Sequence, residues 1–136
     1  MAMKTWQQKL HIDHQPKVEV ADKSFAGVQE GQRMLVPTPL IVDEYIRQIP
    51  KGKKVDPVQM KKDLAAEYHA EVTCPLTSGI FLRIAAEAAY EAYEKGAKLS
   101  SITPFWRIID KKSTTAKKLS FGAEFLLEQQ EKEGIS

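Results

Sequence analysis

A chain with one cysteine, Cys74, has no internal disulfide. It must hold its fold by packing, and a reducing, cytoplasmic compartment is the expectation. No run of about 18 apolar residues exists, so no membrane-spanning helix is expected. Met1 to Gln15 is polar and lacks the apolar stretch of a secretory signal. No Gly-rich phosphate loop, Ser-His-Asp order or paired-carboxylate motif stands out, and no internal repeat or low-complexity tract is present. No cofactor is implied. Zinc ligation by His11, His14, His69 and Cys74 lacks a standard spacing, so no metal site is expected.

With 136 residues, 43% of them hydrophobic, the sequence suffices for a single packed domain. The net charge of +2 does not announce a nucleic-acid partner, but its distribution is uneven. Lys51 to Lys62 sets five lysines against Asp56, and Arg107 to Lys118 sets Arg107 and four lysines against Asp110. Two basic patches on an otherwise acidic chain are the footprint of a phosphate-facing surface, or simply two solvated loops.

Residues 1–35 form an arm, with a short helix over Thr5 to Leu10 and irregular chain after it, broken by Pro16, Gly27 and Gly31. Residues 36–136 are mainly helical. Thr38 and Pro39 start a helix that Pro50 stops. Lys51 to Lys54 makes a basic turn. Asp56 and Pro57 start a second helix running to Tyr68, with Val58, Met60, Leu64, Ala65 and Tyr68 inward. Thr73 to Lys95 holds a long third helix ended by Gly96, with Ile80, Phe81, Ile84, Ala85, Ala88 and Ala92 at helical spacing and Glu87, Glu91 and Glu94 on a solvated face. Ile102 to Ile109 is apolar and β-branched, which predicts an extended segment, a candidate wing. Lys111 to Lys118 is a basic loop. Ser120 caps a closing helix to Lys132, which uses Phe121, Phe125, Leu126 and Leu127 for contact and ends at Gly134. A helix pair joined by a short turn is compatible with helix-turn-helix.

Three stretches, taken in order, resemble the alkylguanine-DNA alkyltransferase family over roughly residues 36–134. Ile49-Pro50-Lys51-Gly52-Lys53 resembles the segment that opens its DNA-binding domain. Ile102-Thr103-Pro104-Phe105-Trp106-Arg107-Ile108-Ile109 resembles its Ile-Pro-Cys-His-Arg-Val-Ile active-site segment. Phe125-Leu126-Leu127-Glu128 resembles its closing helix. The resemblance implies a winged helix-turn-helix domain that binds double-stranded DNA and rotates a damaged base into a pocket, at a cost that damage lowers.

The departures from that pattern carry the functional content. Alkyl transfer needs a thiolate made by a neighbouring base. Phe105 stands at the cysteine position and Trp106 at the histidine position, and neither does that chemistry. The family's base-flipping tyrosine has no counterpart near Val55-Asp56-Pro57. The expectation is therefore no transferase activity, as in the cysteine-lacking branch of the family, which binds alkylated guanine and flags it to excision-repair proteins. By resemblance, Pro104, Phe105 and Trp106 line the base pocket. Arg83 approaches the base stack. Lys51, Lys53, Lys54 and Arg107 approach the phosphate backbone, with Arg107 otherwise holding the segment through a backbone carbonyl. An alternative is a protein-interaction or scaffold domain that reuses the fold. A third reading is an enzyme using Cys74, whose place before a helix N-terminus favours a thiolate, against a structural, partly buried cysteine.

Overall fold

The computed structural model describes residues 5–135, in which six helices surround one main core and a three-stranded sheet lies against it. The helices are α1 (Trp6–Leu10), α2 (Pro39–Arg47), α3 (Pro57–Glu67), α4 (Pro75–Glu94), α5 (Thr114–Lys118) and α6 (Glu124–Glu133); the strands are β1 (Lys17–Val20), β2 (Arg33–Val36) and β3 (Val72–Thr73). No helix among the described residues is long and apolar enough to cross a membrane.

Local chemistry sets most helix starts. Thr38 accepts from the Ile41 N–H and Asp56 from the Val58 N–H, each with proline at the first helical position. Gly96 and Gly134 turn with φ of +105° and +73°, which lets the chain leave α4 and α6 in the left-handed region.

Residues 5–35 are not irregular throughout. Thr5 and Gln8 form a reciprocal capping box on α1. The carboxylate of Glu91 accepts from the Trp6 and Gln7 N–H groups, at 3.1 and 3.2 Å, and the Gln7 amide donates to the Ala88 carbonyl at 2.7 Å, which staples α1 to α4. β1 pairs antiparallel with β2, and β2 pairs parallel with β3, which comes from the α3–α4 connection. The expected boundary at residue 35 thus runs through β2. β1 reads Lys17-Val18-Glu19-Val20, an alternation only four residues long with both valines exposed, so no buried apolar face marks it as a strand.

Other expectations fail for packing reasons. Ile102 to Ile109 is not a strand. It folds into a 3-10 turn at Phe105–Arg107, and the buried Gln130 amide donates to the carbonyls of Trp106 and Ile109 at 3.1 and 2.9 Å. Its β-branched residues mark burial here, and the sheet is built elsewhere. Lys111 to Lys118 is not all loop, since Ser113 caps α5. Ser120 does not cap the closing helix: its N–H and hydroxyl both donate to Glu87, at 2.8 and 2.5 Å. Glu87 is accordingly buried rather than solvated, with Arg83 Nε 3.3 Å from the same oxygen that accepts from the Ser120 N–H. Val58, Ile80 and Leu127, expected to make apolar contacts, are exposed.

Candidate nucleic-acid interface

The Pro104-Phe105-Trp106-Arg107 segment runs from the main core to the surface. Phe105 is fully buried, and its ring lies 5.3 Å from Trp106, 5.6 Å from Phe121 and 5.9 Å from Phe125, centroid to centroid. Pro104 is buried beside it. Tyr90 stacks on Phe121 at 4.0 Å and extends the cluster to α4. The position that resembles the alkyl-acceptor site is therefore filled by an aromatic side chain packed among others.

Trp106 is buried too, but its indole N–H reaches the rim, where it donates to Glu133 at 2.6 Å. Glu133 collects three further donors: Arg107 Nε at 2.9 Å, Arg107 Nη2 at 3.0 Å and the Gly52 N–H at 2.9 Å. Arg107 Nη1 donates to the Ile49 carbonyl at 2.8 Å, and the Val55 N–H donates to the Arg107 carbonyl at 2.8 Å. Burial alone would raise the Glu133 carboxyl. The bonds from Arg107, Gly52 and Trp106, with the Arg107 charge, outweigh it and hold the group down to about 2. Gly52, at φ +83°, supplies the left-handed turn that brings its N–H round to this carboxylate.

These bonds fasten the Lys51–Lys54 turn to the segment that opens the second basic stretch. Lys54 closes the junction by pairing with Asp110 at 2.8 Å. The Asp110 carboxyl sits below its ordinary range because Lys54 donates to it and the Lys112 N–H binds its other oxygen. Lys51, Lys53, Lys111 and Lys112 stay exposed around this junction. Beside it, a cleft of about 470 Å³ is lined by Lys51, Leu99, Trp106, Arg107, Lys132 and Glu133, among others.

The sequence-predicted residues thus separate into three groups. Lys51, Lys53, Lys54 and Arg107 come together, although Arg107 is spent on Glu133 and Ile49 and holds the segment rather than presenting a free guanidinium. Trp106 edges the cleft, whereas Pro104 and Phe105 lie in the core. Arg83 goes elsewhere, onto a groove that shares no lining residue with the cleft. Sequence reasoning missed Glu133 and Gln130, because nothing but their contacts distinguishes them from the other polar residues of α6.

Cys74 is buried just before α4, and its side chain makes no cap bond to that helix. No group of three or more His, Cys, Asp or Glu residues among the described residues is placed to hold a metal ion. No protein-family model, curated protein or solved structure matches the chain.

Proposed function

We propose that this is a non-catalytic domain that binds double-stranded DNA through its phosphate backbone, in the manner of the alkyltransferase-like proteins that its motifs resemble. One observation carries the reading. The Lys51–Lys54 turn and the Asp110–Lys112 start of the second basic stretch, far apart in sequence, are locked into one surface by Arg107, Glu133 and the Lys54–Asp110 pair. Clustered lysines attract phosphates without reading sequence. In this reading the domain is a winged-helix relative with the small sheet as its wing, and the lysine junction, not the exposed face of α4, meets the phosphates. With Phe105 filling the acceptor position, neither a nucleophile nor a displaced base belongs there, and the cleft beside Trp106 is the place left for an extruded base.

The experiment is a titration of fluorescent duplex, with and without one alkylguanine, at two salt concentrations. Salt-sensitive binding supports the proposal, and preference for the lesion duplex assigns the cleft to base recognition. Lys51→Glu with Lys53→Glu should weaken binding by about tenfold or more, since each phosphate contact adds roughly 0.9 to the salt slope. Absence of binding at low salt overturns the proposal and leaves the interaction-domain reading. Leu76 and Ile80, both strongly exposed, favour that second reading at a different face.

A further inference from the structure

α4 buries Ser78, Leu82 and the face from Ala85 to Ala89 but leaves Leu76, Gly79 and Ile80 of its N-terminal half exposed. Leu76 and Ile80, one helical turn apart, are 60% and 58% exposed. Ile84 and Arg83 continue the same face. This stripe is the floor of a groove of about 700 Å³, with Trp6 and Lys9 of α1 on one wall and Thr114, Thr115 and Lys118 of α5 on the other.

The groove is one-signed. Among the described residues, Lys9, Arg83 and Lys118 line it and no aspartate or glutamate does. The Lys9 ammonium sits 4.1 Å from the Trp6 ring centroid and the Arg83 guanidinium 5.3 Å, so the indole holds two cations at the wall. Glu87, the ion-pair partner of Arg83, is buried beneath and turned toward Ser120. Phosphate has no use for two exposed aliphatic side chains on the floor, and an uncharged apolar segment would leave the cationic rim uncompensated. The chemistry that satisfies both is apolar anchors flanked by carboxylates. Leu76 to Ile84 spans roughly 12 Å of helix, about two turns, which matches anchors at i, i+4 and i+7 on a partner helix.

We propose that the α1–α4–α5 groove docks an acidic amphipathic helix of a partner protein. This does not depend on DNA binding at the lysine junction, and the two faces fail separately.

The test uses fluorescence anisotropy with three labelled synthetic peptides of about 18 residues, each roughly five helical turns. One is an amphipathic helix with leucine anchors and flanking glutamates. The second has lysine for every glutamate. The third permutes the first so that its leucines share no face. The first should bind, and the other two should bind at least about tenfold more weakly. Ile80→Glu and Lys118→Glu, both at exposed positions, should each weaken the first peptide by about tenfold or more, with circular dichroism unchanged. Excess unlabelled duplex DNA should leave the peptide bound. Equal binding of all three peptides, no binding by the first, wild-type binding by Ile80→Glu, or displacement by duplex would each overturn the proposal.

Discussion

Glu133 offers the sharpest test of how this fold is held. Its carboxylate accepts from Trp106, twice from Arg107 and from Gly52, so one side chain ties α6 to the buried segment and to the lysine turn. Its side chain is 7% exposed and that of Arg107 is 16% exposed. Glu133→Gln keeps the volume, removes the charge and turns one acceptor into a donor. Holding the carboxyl near 2 rather than its ordinary 4.5 corresponds to roughly 3 kcal/mol, which solvent at the cleft rim screens to about 1–2 kcal/mol. The mismatched donor adds about 1 kcal/mol. The variant should therefore lose about 2–3 kcal/mol, or roughly 8–12 °C in Tm for a domain of this size. The pH dependence has a definite sign. The folded value is depressed, so the charge contribution is complete above pH 4.5, falls as the pH drops toward about 2, and is gone below it. Urea melts of wild type and variant at pH 7 and at pH 3 measure the gap, and less than about half of its electrostatic part should survive at pH 3. A gap below about 0.5 kcal/mol at pH 7, the scatter of ordinary surface changes, or one that does not narrow with acid, would refute the reasoning.

Three further outcomes follow from the same geometry. Phe105→Cys puts a thiol at the position that resembles an alkyl-acceptor site, yet that position is buried and Trp106 is no base; mass spectrometry after incubation with alkylated duplex should show no adduct at residue 105, urea melts should show a loss of about 3 kcal/mol, and an alkyl adduct there would contradict this account. Asp56→Ala removes the cap of α3 and should cost about 1 kcal/mol; an unchanged urea midpoint would mean the cap bond is replaced by solvent. Lys53→Glu with Lys111→Glu should lower the salt slope of duplex binding by about 2 if both face phosphate, and an unchanged slope would remove the lysine junction from the interface.

The resemblance to alkyltransferases rests on short motifs, and the structure treats each differently. The Ile49–Lys53 stretch and the Phe105–Arg107 stretch meet, joined by Arg107 on the Ile49 carbonyl. The Phe125–Glu128 stretch contributes one ring to the aromatic cluster, Phe125, and leaves Leu127 on the surface. Arg83, matched to a stack-filling arginine by local pattern, stands in a groove with Trp6, a residue from the stretch that the motif match leaves out. Motif spacing carries no information about which surface a helix residue will share with a distant segment.

What the sequence determined by itself was local. Thr38-Pro39 and Asp56-Pro57 start helices, Pro50 stops one, and Gly96 and Gly134 release two, because caps, fixed φ and left-handed turns act within a few residues. That Phe105 and Trp106 are neither a thiol nor a histidine was equally legible, being a matter of residue type. Only the tertiary structure decided that Ile102 to Ile109 coils instead of extending, that Glu87 is buried, and that β1 pairs at all. Each depends on a partner far along the chain: Gln130 for the coil's carbonyls, Ser120 and Arg83 for the carboxylate, and β2 for the exposed strand. A buried polar group or an unpaired backbone must find a bond somewhere, and local sequence cannot say where.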